Sequence, residues 1–325
     1  MKLSILDQAP ISSGQSARDA LMSTVQLAKE AEKLGYQRFW ITEHHSLNGL
    51  ASSVPDVLLG YIGAVTKKIR IGSGAVLLPH YKPYHVAEAY NTLATLFPGR
   101  VDIGIGRAPG GSAEATQALS DHYLQQVYKL PELIKELLGF LHGDFPENHI
   151  FKNVKASPIP DISPEVWLLG TSDKSARLAA KLGLSYAFGH FMSEKNGKDC
   201  METFYQGHQS GYRQKSKSLV TVTVLCAPTE REALEISSSI KAWQLQTSEG
   251  AGETIPSITE AKNYLSEKNA DRNENKMLIG SPKQVKEGLM KIQEEFRTEE
   301  IMLNTIAHRP EDRLQSFRLI AEEIL

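Results

Sequence analysis

The sequence predicts one α/β domain, a single (β/α)8 TIM barrel with an insertion before the last strand. Short β-branched apolar runs recur eight times, and helix-patterned segments separate them. Three of the runs end in polar or glycine-rich residues. Residues 38–42 lead into Glu43-His44-His45, residues 69–78 contain Gly72-Ser73-Gly74-Ala75, and residues 101–106 lead into Arg107-Ala108-Pro109. Parallel strands that deliver side chains to one rim read this way. A chain of 325 residues accommodates two average domains or one large barrel. Eight consecutive strand–helix units favour the single barrel.

In chain order, residues 3–7 form the first strand and residues 10–14 a loop that reaches over the rim. Residues 16–34 carry a helical stripe at Leu21, Val25, Ala28 and Ala31, ended by Gly35 as a C′ glycine. Strand two, residues 38–42, is followed by a helix over 52–66, with Ser53 as cap, Pro55 in the first turn and Asp56 at the positive end of the dipole. Strand three precedes a helix from Pro83 through Leu96, closed by Phe97-Pro98-Gly99. Strand four opens into a Gly-Pro-rich loop, 104–111, and a helical zone over 114–141. Residues 144–164, with four prolines, read as a long connection that leaves room for a small hairpin.

Strand five, 166–169, turns through Gly170-Thr171-Ser172-Asp173-Lys174-Ser175 into a helix that ends at Gly183. Strand six, 186–188, is followed by a helix over 194–213, and strand seven is 220–225. A helix over 230–245 leads to an insertion, 247–276, Gly- and Ser-bearing at its start and strongly polar at its end, read as a mobile segment. A helix over 283–296, strand eight at 300–304 and a helix over 310–324 complete the barrel. No repeat of 20–50 residues is visible, which argues against a solenoid.

The 41% hydrophobic content supplies a full core, and a formal charge of −2 with pI near 6.6 gives no reason to expect nucleic acid or an anionic membrane as partner. The apolar run before Asp7 is too short for a signal peptide, and no stretch approaches the ~20 apolar residues of a membrane span. A soluble, cytoplasmic protein is expected. Cys200 and Cys226 lack metal or redox spacing and are expected to be free thiols that serve packing.

Several side chains sit where barrel enzymes build their sites. His44 is at the carboxyl end of strand two, placed for acid/base work or for a plain hydrogen bond to a neighbouring loop. Adjacent residues on a strand point to opposite faces, so His44 and His45 are poorly placed to grip one ion, and no metal is expected. Glycines within strand three suggest a bulge or the close approach of another group. Arg107 offers a planar five-donor guanidinium to a phosphate, or an ion pair to Glu114. Ser172 and Ser175, one turn apart at a helix start, offer hydroxyls and free N–H groups, or a simple cap. Asp173 would repel a phosphate that it faced. Phe188, His190 and Phe191 suit core packing or a pocket wall. His80 and His85 read as solvated or as part of a dimer contact. A dinucleotide fingerprint with its third glycine at the required offset is missing.

The strings over 38–45, 69–79 and 101–109 resemble, in order and spacing, the bacterial luciferase-like flavin monooxygenase family, and the branch related to the luciferase alpha subunit in particular. The resemblance runs from Leu3 to about Leu303. It implies reduced FMN supplied by a separate flavin reductase, O2, a peroxyflavin and a small organic substrate. His44 takes the role of catalytic acid/base, with Glu43 and His45 orienting it or lining the pocket. The resemblance places a non-prolyl cis peptide between Gly74 and Ala75 under the flavin ring, the phosphate at Arg107, Ser172 and Ser175, and Phe188, His190 and Phe191 in the wall. Gly106 stands where the luciferase alpha pattern has a reactive cysteine, so thiol-dependent behaviour of that kind should be missing. A homodimer is implied through the helices after strands two and three, around Leu58, Leu59, Ile62, Ala87, Ala89 and Leu93, and the insertion is expected to act as a lid. A dehydrogenase using FMN or a deazaflavin such as coenzyme F420, and a flavin-binding protein without turnover, remain the alternatives. A lyase or isomerase barrel is disfavoured because neither a catalytic lysine nor paired carboxylates stand clearly at strand ends.

Overall fold

The computed structural model describes residues 1–207, 216–250, 253–268 and 276–325. Among them nine parallel strands occur: β1 (Lys2–Asp7), β2 (Arg38–Ile41), β3 (Arg70–Leu77), β4 (Val101–Gly106), β5 (Glu165–Gly170), β6 (Ser185–Gly189), β7 (Ser218–Cys226), β8 (Met277–Gly280) and β9 (Glu300–Asn304). Strands β1 to β7 pair in sequence, β7 pairs with β9, and β9 pairs with β1, which closes an eight-stranded ring. This is the predicted TIM barrel. The ninth strand, β8, lies outside the ring: β7 gives Leu219–Thr223 to β9 and its far end, Thr223–Cys226, to β8. Sequence pattern missed β8 because Met277-Leu278-Ile279 is too short a run to show a period.

The helices are α1 (Ala17–Leu34), α2 (Pro55–Val65), α3 (Pro83–Leu96), α4 (Ala113–Leu119), α5 (Tyr123–Tyr128), α6 (Leu130–His142), α7 (Asp173–Leu182), α8 (Gly197–Gly207), α9 (Glu230–Ser248), α10 (Ile258–Glu267), α11 (Pro282–Phe296) and α12 (Pro310–Ile324). Ser16 and Asp19 form a capping box on α1, and Gly35 ends it at φ 88°. Ser53 is not the cap of α2. Val54 holds that position without a side-chain bond, and Pro55 starts the helix. The zone over 114–141 breaks into α4, α5 and α6, the last with Pro131 in its first turn, where a missing N–H is tolerated. The connection over 144–164 forms turns and no hairpin. The expected helix over 194–213 begins at Gly197, and its residues 208–213 lie outside the described residues.

The barrel interior is layered. At the amino ends of the strands, Arg38 donates to Asp102 at 2.9 Å and to Glu300 at 2.7 Å, Arg70 adds a second cation to Asp102, and Lys217 reaches Glu165 at 2.8 Å. Above this base Leu6, Trp40, Trp167, Ala187, Leu219 and Met302 form an apolar plug. Trp40 ties the two layers together by donating from Nε1 to Asp102 at 2.9 Å. The larger core lies between the ring and its helices.

The described part of the 247–276 insertion is packed. Ile255 is fully buried with Leu50, Ile240, Trp243 and Ile306. Its backbone exchanges bonds with the loop after β1, Ile255 N–H to Ile11 at 2.8 Å and Ser13 N–H to Ile255 at 2.9 Å. Residues 251–252 and 269–275 of this insertion, which was expected to be mobile over 247–276, lie outside the described residues.

Candidate active site

The third layer of the barrel is open. Where the carboxyl ends of the strands would otherwise carry bulk, small residues leave a cavity of about 470 Å3, within the range of small-ligand sites. Its floor and walls are apolar, with Leu6 on β1, Gly74, Ala75 and Leu77 on β3, Leu169 on β5 and Ala187 on β6. Polar groups enter at defined places.

His44 follows β2, its backbone N–H tied to Ser52 at 2.9 Å. Burial lowers its imidazole to about 4, opposed by a hydrogen bond to the Gly110 backbone. At neutral pH the ring is therefore uncharged, able to accept a proton but holding none in excess. Glu43 beside it is buried and fully engaged. It accepts from Tyr81 Oη at 2.6 Å, from the Leu77 N–H at 3.1 Å and pairs with His45 Nε2 at 2.9 Å. Its role is to fix this corner of the wall, and its bonds push the Tyr81 phenol upward after burial has done so.

The opposite polar region belongs to β4, β5 and α7. Arg107 is exposed on the cavity and makes no ion pair among the described residues, so the alternative pairing with Glu114 is not formed. Ser172 and Ser175 line the same cavity, and Ser175 Oγ donates to the Ser172 carbonyl at 2.6 Å and meets Tyr186 Oη at 3.0 Å. Asp173 is turned away, accepting from Cys200 Sγ at 3.2 Å. The repulsion that its carboxylate threatened is thereby avoided. A free guanidinium, the Ser172 hydroxyl and the start of a ten-residue helix make a donor set that fits a phosphate, and Ser175 joins it when its one proton turns from the Ser172 carbonyl. The Gly74–Ala75 peptide is cis, and the β3–β4 register shifts between Ser73 and Val76. Gly106 keeps the β3 side clear, since a Cβ there would stand 2.9 Å from that of Ala75.

The structure thus brings His44, Glu43, Gly74, Ala75, Arg107, Ser172, Ser175 and Phe191 onto one cavity. It places three expected wall residues elsewhere. His45 stands behind Glu43. Phe188 is fully buried against Phe296, ring centroids 5.9 Å apart, and His190 packs 5.2 Å from the same ring. The period of two explains Phe188: Ala187 and Gly189 face the cavity, so the residue between them faces the outer core. His80, expected to be solvated or part of a dimer contact, is buried and bonds the Pro109 carbonyl through Nε2 at 2.9 Å; His85 is exposed. Gln8, Thr42 and Thr221 also line the cavity. Each continues the inward alternation of its strand, a signal that pattern alone could have followed.

A family model described as luciferase-like monooxygenase matches residues 1–299. The chain belongs to that family. It is 43% identical to the protein YwcH of Bacillus subtilis, covering 99% of this chain and 98% of that one. It is 34% identical to the N-acetyl-S-alkylcysteine monooxygenase of the same organism, over 100% and 98%. Among solved structures, apo-MsnO8 superposes with a TM-score of 0.92 at 33% identity, covering 99% of this chain and 98% of that one. Two more distant structures share the fold. They are the FMN complex of the oxygenating constituent of 3,6-diketocamphane monooxygenase from Pseudomonas putida (TM-score 0.73, 20% identity, coverage 100% and 97%) and an F420-dependent secondary alcohol dehydrogenase (0.71, 16%, 100% and 99%). Among the described residues no helix is long and apolar enough to cross a membrane, and no cluster suited to a metal ion occurs.

Proposed function

We propose that the chain is a flavin-dependent monooxygenase that uses reduced FMN, delivered by a separate reductase, and O2 to oxidise a small organic substrate. The observation that carries this reading is the meeting, in one cavity, of an unpaired Arg107 and the Ser172–Ser175 helix start with the neutral His44. Arg107, Ser172 and Ser175 would hold the phosphate. Gly74 and Ala75 offer the ring a wall without side-chain bulk. The bound reduced flavin supplies the two electrons that activate dioxygen. His44, uncharged at neutral pH, accepts or relays a proton at the reacting atoms, and Glu43 with Tyr81 holds the strand end on which it stands. The apolar remainder of the cavity excludes water from the reaction. The 34% identical relative named for N-acetyl-S-alkylcysteine makes thioethers of that kind the first substrates to test.

A homodimer belongs to the same proposal, with its face corrected by the fold. Leu59, Ile62, Ala87 and Leu93 are buried within the chain and Leu58 and Ala89 partly so, whereas Val54 at the cap of α2, Val57, Tyr61 and Val65 on it and Leu96 on α3 form an exposed apolar stripe. The described part of the insertion, expected to act as a lid, gives no residue to the cavity wall.

The test is an anaerobic titration with reduced FMN and, separately, reduced coenzyme F420, on wild type and Arg107→Ala, followed by admission of O2 with a thioether present. Tight FMN binding that weakens in the variant, and an oxygenated product lost in His44→Ala, is the expected result. Binding of F420 alone would make the chain a deazaflavin enzyme, and binding of neither would overturn the phosphate assignment.

A further inference from the structure

The strap of residues 107–110 forms one side of the cavity mouth, and its backbone is held at three points. Tyr123 on α5 donates its hydroxyl to the Arg107 carbonyl at 2.6 Å. His80, in the 3-10 turn Leu78–His80 after β3, bonds the Pro109 carbonyl through Nε2 at 2.9 Å. The His45 N–H donates to the Gly110 carbonyl at 2.8 Å. The first two anchors are one object, because the rings of His80 and Tyr123 stack with centroids 4.7 Å apart and planes 22° from parallel. His80 Nδ1 is buried without a hydrogen-bond partner. Buried ring nitrogens are nearly always satisfied, so the placement of this ring answers to the stack and to the Pro109 bond rather than to its own polarity.

We infer that His80 and Tyr123 are a positioning pair for Arg107, holding its backbone so that only side-chain freedom remains to be lost when the guanidinium meets a phosphate. Neither residue lines the cavity, and both act through the strap that does. An exposed arginine on a free loop would have to order backbone and side chain together on binding, at a cost in affinity that fixing the backbone removes beforehand. The inference rests on the flavin phosphate reading above and predicts where else in the chain that phosphate is controlled.

The experiment compares FMN with riboflavin, which lacks the phosphate, in wild type, Tyr123→Phe, His80→Phe and Arg107→Ala. Tyr123→Phe keeps the ring and its stack and removes only the hydroxyl; His80→Phe keeps a ring and removes the Pro109 bond. In both, the dissociation constant for FMN should rise about three- to tenfold, the loss of one hydrogen bond, while that for riboflavin stays within about twofold. Combined with Arg107→Ala, Tyr123→Phe should add nothing further for FMN. Thermal melts establish that each variant is folded. An unchanged FMN-to-riboflavin ratio in a folded Tyr123→Phe protein overturns the inference while leaving the phosphate site intact, as does an equal loss for both ligands. A wild type that fails to distinguish FMN from riboflavin removes the phosphate reading and the inference with it.

Discussion

Substituting Gly106 by alanine should damage the site through a contact that can be relieved from the other side. A Cβ at this position would lie 2.9 Å from the Ala75 Cβ and 3.4 Å from Leu77 Cδ2. Carbon atoms prefer about 3.5–4.0 Å, so the first contact is short by roughly 0.6 Å or more. Both methyls are fixed to backbone and neither can rotate away; β3 and β4 must therefore part at the rim. Overpacking of this kind costs about 1–3 kcal/mol. With an unfolding entropy near 2.1 cal/mol/K per residue, a chain of this length loses about 1.5–4 °C in Tm. The parting also moves Ala75 relative to Arg107, which should weaken FMN binding. Ala75→Gly removes the opposing methyl and by itself should cost about 0.5–1 kcal/mol, the usual burden of glycine in a strand. The double variant should then be no less stable than Ala75→Gly alone, a coupling of about 1–3 kcal/mol. Differential scanning calorimetry on the four proteins, with FMN titration alongside, measures this. Additive losses would refute the account, because they would mean that the two methyls never meet.

His44 sets a pH dependence. Its folded imidazole titrates near 4 and an unfolded one near 6.5, so between these values the unfolded chain binds the extra proton; this residue therefore makes stability rise with pH from about 4 to 6.5 and adds no slope above. Urea midpoints of wild type and His44→Asn across that window should differ in slope, and parallel curves would contradict the burial. Activity that needs the neutral ring should stay level down to about pH 5, and a midpoint near 6.5 would show an open, solvated histidine. Arg38→Met should cost about 3–5 kcal/mol by leaving Asp102 and Glu300 without their shared cation, measured as a fall in the denaturant midpoint; a neutral result would mean that Arg70 and Lys217 suffice. Val57→Glu on the exposed stripe of α2 should shift sedimentation from dimer toward monomer without lowering Tm by more than about 3 °C, and a wild type already monomeric at micromolar concentration would remove the dimer proposal.

Much of the barrel was legible because its signals are local. Eight strand–helix units, the Gly35 and Gly183 stops and the prolines at helix starts each act within a few residues. The rim position of His44, Arg107, Ser172 and Ser175 followed from the same grammar, since a residue just past a barrel strand has only one end to occupy. What was not legible depends on contacts distant in sequence. Phe188 suited core packing or a pocket wall beside Phe191, and the phase of β6, which sends Ala187 and Gly189 inward, decides for the core. His80 read as solvated or as a dimer contact because nothing within its own segment announces that Tyr123 covers it and Pro109 accepts from it. Leu59 and Ile62, expected on a dimer face, are buried within the chain: both faces of α2 are apolar, and only packing on β3 decides which is spent inside.

The three layers of the barrel interior divide the work of the molecule. The base holds two arginines against buried carboxylates, an arrangement that is expensive to desolvate and tolerable only when every member is paired, so it fixes the strand ends rigidly. The plug above it puts two tryptophans edge to face, ring centroids 5.5 Å apart, and seals that polar base from the cavity. At the third layer the chain withholds side chains at Gly74, Gly106 and Gly189 where bulk would fill the barrel, leaving about 470 Å3. A cavity bounded below by a rigid floor can hold its wall residues in place without a ligand, which is the preorganisation that a reaction sensitive to water needs. The glycines do not provide this stiffness; the bonds around Glu43 and the strap held by His80 and Tyr123 do. Perturbing the glycines should therefore change what fits, whereas perturbing the strap anchors should, on the proposed reading, change how firmly a phosphate is held at unchanged cavity size.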